Sequence, residues 1–107
     1  MKLIKAIIRP EKETAVIEQL EQAGLFALTK WDVLGRGRQM GIQMGGIVYG
    51  ELSKLCLMVV VEDADAPRAI ETIMAAAKTG HPGDGRIFVS NVEEAYTIRT
   101  GKSGRLT

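Results

Sequence analysis

Two glycine-rich segments of the chain carry arginines in a pattern suited to binding an anion. They are Gly35-Arg36-Gly37-Arg38-Gln39-Met40-Gly41 and Thr79-Gly80-His81-Pro82-Gly83-Asp84-Gly85-Arg86. Glycine allows backbone N–H groups to approach an anion closely, and an arginine guanidinium makes paired hydrogen bonds to phosphate oxygens. Together the segments predict a nucleotide phosphate site. Each segment alone is also typical of turn glycines beside solvated arginines.

Neither segment matches a standard nucleotide-binding motif. The glycines at 35, 37 and 41 differ in spacing from the dinucleotide fingerprint, and no helix is predicted to follow them. Gly101-Lys102-Ser103 resembles the end of a P-loop, but Tyr96 stands where that motif needs its first glycine. We therefore reject both motifs.

The other reactive side chains do not form the clusters used in metal binding or nucleophilic catalysis. Cys56 is the single cysteine and His81 the single histidine, which excludes an internal disulfide and a cysteine-rich zinc site. The acidic stretch 62–65 precedes a predicted helix, where carboxylates favour the positive end of the helix dipole. No catalytic residues are predicted.

The composition fits a single folded domain over residues 1–107. Hydrophobic residues make up 46% of the chain and charged residues 25%, as in ordinary globular proteins. The formal net charge of +1 argues against binding to nucleic acid or anionic membranes through bulk charge. The longest apolar run, residues 55–61, is too short to cross a membrane, and the first residues lack the features of a signal peptide. We expect a cytoplasmic protein without membrane insertion.

Residue periodicity predicts the elements that position the two glycine-rich segments. Strands are predicted over 2–9, 25–34, 54–62 and from 86 to about 99. Helices are predicted over roughly 10–23 and from Asp65, as the cap, to about Lys78. Residues 35–50 contain six glycines and no sustained period, which predicts a long mobile loop.

The order of these elements, β-α-β-β-α-β, is that of the ferredoxin-like α+β fold. In this fold two helices cover one face of a four-stranded antiparallel sheet. The first and third strands carry apolar side chains on both faces, so the other face would be a large apolar patch in a monomer. We therefore expect a homo-oligomer built on that face.

The second glycine-rich segment continues as Ile87-Phe88-Val89 and is followed by Val92-Glu93 and Ile98-Arg99-Thr100-Gly101. This pattern resembles the carboxy-terminal signature of the P-II nitrogen-regulatory proteins. The opening strand, Lys2-x-Ile4-x-Ala6-Ile7-Ile8-Arg9-Pro10, and residues 35–41 resemble the same family. The resemblance thus covers essentially the whole chain.

The resemblance implies a homotrimer that binds ATP or ADP between neighbouring subunits and senses 2-oxoglutarate. The family's T-loop would span about 35–53, its B-loop about 79–86, and a flexible tail about 100–107. Such a protein integrates signals and is not an enzyme.

The resemblance also implies roles for individual residues. The nucleotide site would be formed by Ile7, Thr29, Gly35, Gly37, Arg38, Val60, Gly83, Asp84, Gly85, Arg86 and Arg99. Among these, residues 83–86 would line the phosphates, and Thr29 and Arg99 would reach across the subunit boundary. Gln39 would join a Mg²⁺ held by the nucleotide, and Gln39 and Lys54 would bind 2-oxoglutarate. Mg²⁺ commonly takes its oxygen ligands from phosphates, so it needs no cluster of carboxylates.

Several positions depart from the family pattern. The T-loop is shorter than in members linked to glutamine synthetase, and Tyr49 is out of register with their modified tyrosine, which argues against uridylylation. Thr97 stands at a position that is often basic and Met58 at one that is often acidic. We expect these two changes to alter phosphate affinity or nucleotide preference.

The shorter loop, together with Gly35-Arg36-Gly37, resembles the nitrogen-fixation branch of the family. The resemblance implies control of nitrogen fixation by reversible binding to nitrogenase, and it leaves open whether subunits mix with a paralogue. The general role, control of an ammonium transporter or glutamine synthetase, is the alternative. A small ferredoxin-like phosphoryl-transfer enzyme and a purely structural trimer are less favoured by the residues.

Overall fold

The computed structural model describes residues 1–36, 42–44, 47–49 and 51–104, and only the backbone of 42–44 and 47–49. The strands are β1 (Lys2–Ile8), β2 (Thr29–Gly35), β3 (Ile42–Met44), β4 (Ile47–Tyr49), β5 (Leu52–Val61) and β6 (Gly85–Asn91). The helices are α1 (Glu13–Gln22) and α2 (Ala66–Ala77), each preceded by a single 3-10 turn, Pro10–Lys12 and Asp63–Asp65 respectively.

Four strands form an antiparallel sheet in the order β2-β5-β1-β6, and both helices pack on one of its faces. Among the residues that the structure describes, strands β3 and β4 pair only with each other. The ferredoxin-like α+β fold predicted from the element order is confirmed.

Proline and glycine set the helix boundaries. Pro10 lies in the first turn before α1, where its missing N–H costs nothing. Gly24 ends that helix with a φ of +81°, a conformation that other residues rarely adopt. Asp65 precedes α2 as predicted, but its carboxylate makes no cap hydrogen bond and pairs instead with Arg68 at 3.2 Å. The predicted capping role of Asp65 is therefore wrong.

The core lies between the sheet and the helices. It is formed by alternate residues of the two central strands and by one face of each helix, among them Ile4, Ala6, Ile8, Leu55, Leu57, Val59, Val16, Leu20, Ala69 and Ile73. These side chains are at most 3% exposed. Truncation of Leu20 or Ile73 to alanine is expected to cost about 2–5 kcal/mol of stability.

The opposite sheet face, called the open face below, carries the side chains that alternate with the core residues. Its apolar members are Leu3, Ile7, Trp31, Val33, Cys56, Met58, Val60 and Phe88. Trp31 is 40% exposed and Phe88 50% exposed, and no described element covers them. The predicted uncovered apolar face is present.

Two predicted strand boundaries differ by several residues from the structure. Strand β2 begins at Thr29 and not at Leu25, because Leu25 and Leu28 pack against the core as part of a connection. Strand β6 ends at Asn91 and not near Arg99, because its partner β1 begins at Lys2, which pairs with Asn91. Beyond it, Tyr96 pairs with Ser103 in an isolated bridge around a turn that contains Arg99.

Residues 35–50 were predicted as a loop without regular structure, but the backbone of 42–44 pairs with that of 47–49. Ile42 lies opposite Tyr49 in this antiparallel hairpin. Each strand has three residues, too few for a period to be visible, although the intervening Gly45-Gly46 is a known hairpin signal. The predicted mobility of this segment is not tested.

Candidate functional site

The ends of three strands bring charged residues together at one edge of the open face. Ile8 pairs with Leu55 of β5 and with Gly85 of β6. When this register is continued by one residue, Arg9 lies between Lys54 and Asp84. Gly35, the last residue of β2, reaches the same end of the sheet, where a Cβ on it would lie 3.2 Å from Cγ of Lys54.

The segment 79–86, called the glycine turn below, is organised around the carboxylate of Asp84. Its Oδ2 accepts hydrogen bonds from the backbone N–H groups of Thr79 and Gly80, each at 2.9 Å. Its Oδ1 accepts from the Thr79 hydroxyl and, at 3.1 Å, from Nε of Arg9. The Thr79 hydroxyl above all, helped by the N–H groups and Arg9, holds the pKa of Asp84 well below its usual range. The Asp84 side chain therefore binds its own turn.

Arg9 is the residue of this edge that the sequence did not single out. Its Nη2 donates to the carbonyl of Pro82 at 2.8 Å, in addition to the contact with Asp84. Pro10 favours the extended backbone of Arg9, which has φ −64° and ψ 136°. In the sequence Arg9 is part of the strand that resembles the family, but no role is predicted for it, because the β1–β6 register that places it beside Asp84 is not visible there.

Two glycines of the turn have a positive φ and lie close to other parts of the chain. Gly85 has a φ of +108°, and a Cβ on it would lie 1.7 Å from the carbonyl oxygen of Ile7. Gly83 has a φ of +101°, and a Cβ there would lie 3.2 Å from Nη2 of Arg9. Only glycine therefore allows β6 to begin this close to β1, whereas at Gly83 it is the positive φ that favours glycine.

Lys54, near the start of β5, also contacts the glycine turn. Its Nζ donates to the carbonyl of Gly83 at 2.6 Å. Partial burial lowers the pKa of Lys54, and the positive charge of Arg9 lowers it further, while Glu11 and Asp84 act in the opposite direction. The start of β5 and the glycine turn are thus joined by one ammonium group.

Comparison with known proteins identifies the family. Residues 1–102 match the family model described as nitrogen regulatory protein P-II. The chain belongs to the P-II family. Members of this family are signal-transduction regulators rather than enzymes, form trimers, and generally bind effector nucleotides and 2-oxoglutarate.

Relatives of the P-II chain agree with the predicted branch. It is 61% identical to the nitrogen fixation nifHD1 region GlnB-like protein 1 of Methanosarcina barkeri, covering 97% of this chain and 99% of the relative. It is 52% identical to the nifHD region GlnB-like protein 1 of Methanothermobacter marburgensis, with the same coverage. The nitrogen regulatory protein P-II 2 of Methanothermobacter thermautotrophicus is 48% identical, over 98% of this chain and 95% of the relative. The recognition of the family and of its nitrogen-fixation branch is confirmed.

The P-II fold brings only part of the predicted site together in one chain. The residues gathered at the edge described above are Ile7, Gly35, Lys54, Gly83, Asp84, Gly85 and Arg86. Arg86 pairs with Ile7 in register and is exposed.

Other predicted residues lie elsewhere. Thr29 pairs with Met58, four residues along β5 from Lys54, and Val60 is six residues along. At about 3.3 Å per residue these separations are about 13 Å and 20 Å. Arg99 lies in the exposed turn that follows Tyr96. Gly37, Arg38 and Gln39 lie outside the described residues.

The donors at this edge suit phosphate better than a bare metal ion. Arg9, Lys54 and Arg86 supply positive charge, and no group of three His, Cys, Asp or Glu side chains in the described ranges could hold a metal. In the part of the chain that the structure describes, no helix is long and apolar enough to span a membrane.

Proposed function

We propose that this P-II chain is a cytoplasmic regulator that binds ATP or ADP together with 2-oxoglutarate and controls nitrogen fixation by reversible binding to nitrogenase. The observation that carries the proposal is the glycine turn itself, with Lys54, which donates to the carbonyl of Gly83, and with Arg86, the last residue of the turn. A polyphosphate needs this combination of positive charge and closely approaching backbone.

The nucleotide would lie where two subunits meet. The phosphates would contact the backbone of residues 83–85 and the guanidinium of Arg86, with Arg38 nearby and Ile7, Gly35 and Gly37 around the nucleotide. Thr29 and Arg99 would be supplied by the neighbouring subunit. Val60 would also lie around the nucleotide. The separation of Thr29 from Lys54, about 13 Å along β5, supports a site in which Thr29 comes from another chain.

The subunits would associate as a homotrimer through the open face. This face carries Trp31 and Phe88, which are 40% and 50% exposed in the single chain. Large exposed apolar patches are uncommon on monomers and are typical of interfaces. Sedimentation should give three times the chain mass of 11.6 kDa. A stable monomer would contradict this part of the proposal.

The 2-oxoglutarate response would depend on Lys54 and Gln39. Lys54 joins the glycine turn to the start of β5, directly after the T-loop. A carboxylate that binds the Lys54 ammonium group would therefore affect both the glycine turn and the end of the T-loop. An effector changes partner binding only if it binds two T-loop states with different affinity. Mg-ATP with 2-oxoglutarate would favour the state that does not bind the partner.

A pull-down from nitrogen-fixing cells tests the choice of partner. A nitrogenase component should co-purify in the absence of 2-oxoglutarate and be released by Mg-ATP with 2-oxoglutarate. Recovery of an ammonium transporter or glutamine synthetase without nitrogenase would contradict the proposal and favour the general P-II role. Catalytic turnover of ATP that is abolished by substitutions in residues 35–53 would instead favour a phosphoryl-transfer enzyme.

A further inference from the structure

The backbone of the glycine turn is held by a side chain that no proposed ligand contact requires. Arg9 reaches the turn from the end of β1 and forms hydrogen bonds with two of its residues, Pro82 and Asp84. It donates to the Pro82 carbonyl at 2.8 Å and to Oδ1 of Asp84 at 3.1 Å, and its Nη2 lies 3.2 Å from where a Cβ of Gly83 would stand. These three residues include two of those proposed to line the phosphates.

We propose that Arg9 is a positioning residue, which acts through Asp84 and Pro82 to fix the backbone of residues 83–85 in the shape that receives a polyphosphate. This inference rests on the proposed nucleotide site. It concerns a residue that holds the site rather than one that touches the ligand, because the Arg9 donors named above are directed at the turn.

The two side chains are sheltered enough for their pairing to matter. The side chains of Arg9 and Asp84 are each 24% exposed, whereas fully exposed ion pairs contribute little. The planar guanidinium donates in two directions at once, to a carboxylate and to a carbonyl. A lysine ammonium is a point charge on a flexible stem and would not reproduce this geometry.

Substitution of Asp84 separates positioning from simple charge. Asp84→Asn removes a negative charge beside the proposed phosphate site. On charge alone it should therefore strengthen ATP binding. Positioning gives the opposite sign, because an amide group in place of the carboxylate cannot accept all the hydrogen bonds from Arg9, Thr79 and Gly80. We expect ATP binding to weaken about tenfold in Asp84→Asn.

The binding experiment compares ATP affinity by calorimetry in the full-length wild type and a small set of variants. Arg9→Gln and Arg9→Lys should both weaken binding about tenfold, the second although it keeps the charge. The double variant Arg9→Gln, Asp84→Asn should be no weaker than the weaker single variant, since both changes remove the same contact. Full affinity in Arg9→Lys would show that charge alone suffices and would overturn the proposal.

Arg68→Gln is the matched control. Arg68 also pairs with a carboxylate, Asp65 at 3.2 Å, and donates to a backbone carbonyl, that of Ala23, but it lies on α2 away from the glycine turn. The substitution removes the same charge and the same kinds of contact. ATP affinity should stay at the wild-type value, and an equal loss in this variant would overturn the specific role of Arg9.

A second measurement on the ligand-free protein is independent of nucleotide binding. The backbone N–H groups of Thr79 and Gly80 donate to Asp84, so their hydrogen exchange reports whether the turn is held. Exchange at these two amides should be about tenfold faster in Arg9→Gln, with unchanged exchange in the core amides of β1 and β5. Wild-type exchange rates in Arg9→Gln would overturn the positioning role.

The two readouts distinguish the failure of each idea. If the wild type does not bind ATP, the proposed function fails, and the exchange rates still decide whether Arg9 holds the turn. If the wild type binds ATP and Asp84→Asn binds it equally well or more tightly, the positioning role fails while the proposed function stands. If Arg9→Gln does not fold, Asp84→Asn and Arg9→Lys give the decision.

Discussion

Gly85→Ala is the substitution for which the structure predicts the largest backbone effect. Gly85 is the first residue of β6, and its φ of +108° is disfavoured for alanine. An added Cβ would lie 1.7 Å from the carbonyl oxygen and 2.8 Å from the carbonyl carbon of Ile7. Because both atoms belong to the backbone of a central strand, no side-chain rotation can relieve the contact.

The expected cost follows from two contributions. Real Cβ atoms essentially never approach another atom closer than 3.0 Å, so β6 must move away from β1 by more than 1 Å at this point. The positive φ costs about 1–2 kcal/mol, and each backbone hydrogen bond lost as the strands separate costs about 1–3 kcal/mol. With one hydrogen bond lost the total is about 2–5 kcal/mol, a large part of the roughly 5–15 kcal/mol that stabilises a domain.

Gly80→Ala is the control, since Gly80 has a similar φ of +90° but no atom within 4 Å of an added Cβ. It should lose only the conformational term of about 1–2 kcal/mol. Urea unfolding, followed by circular dichroism and by the fluorescence of the single tryptophan, Trp31, measures both variants at one protein concentration. Equal stabilities for Gly85→Ala and Gly80→Ala would refute the close approach of β6 to β1.

Three further predictions concern titratable and reactive side chains. Lys54→Ala should abolish the heat of 2-oxoglutarate binding while ATP still binds, though more weakly because the hydrogen bond from Lys54 to the Gly83 carbonyl is lost. Retention of the full heat of 2-oxoglutarate binding would contradict the role of Lys54. The lowered pKa of Asp84 means that the unfolded chain takes up a proton first on acidification, so wild-type stability should fall as the pH drops below about 4. In Asp84→Asn the urea midpoint should decline less on acidification than in the wild type. An identical decline in both proteins would contradict the hydrogen bonds described for the Asp84 carboxylate. Cys56 is 2% exposed and burial raises its pKa, so Ellman's reagent at pH 8 should react only after unfolding. Rapid reaction with the native protein would contradict that burial.

The elements predicted well from the sequence are those with strong local signals. Helix α1 follows from its apolar spacing between Pro10 and Gly24, and the central strand β5 from its long apolar run. The end of β6 depends on where β1 begins, which is a property of strand pairing and not of the residues after Asn91. The predicted start of β2 is wrong because Leu25 and Leu28 pack against the core from a connecting segment, and their apolar character resembles that of a strand.

In the candidate site too, residues with a local sequence signal could be predicted, whereas residues placed by strand pairing could not. The glycine turn and Lys54 were found from residue type and family resemblance, and the structure joins them by a hydrogen bond of 2.6 Å. The part played by Arg9 depends on the register that sets Ile8 opposite Gly85, and no local pattern reveals such a register. Nothing in the residue pattern indicates that the Asp84 carboxylate accepts hydrogen bonds from the backbone of its own turn.

Calorimetric titration of the purified full-length protein with ATP, ADP and 2-oxoglutarate tests the central proposal most directly. ATP and ADP should bind without 2-oxoglutarate, and 2-oxoglutarate should release heat only when Mg-ATP is present. Absence of nucleotide binding at millimolar concentration, or equal binding of 2-oxoglutarate without nucleotide, would contradict a site built on the glycine turn and Lys54.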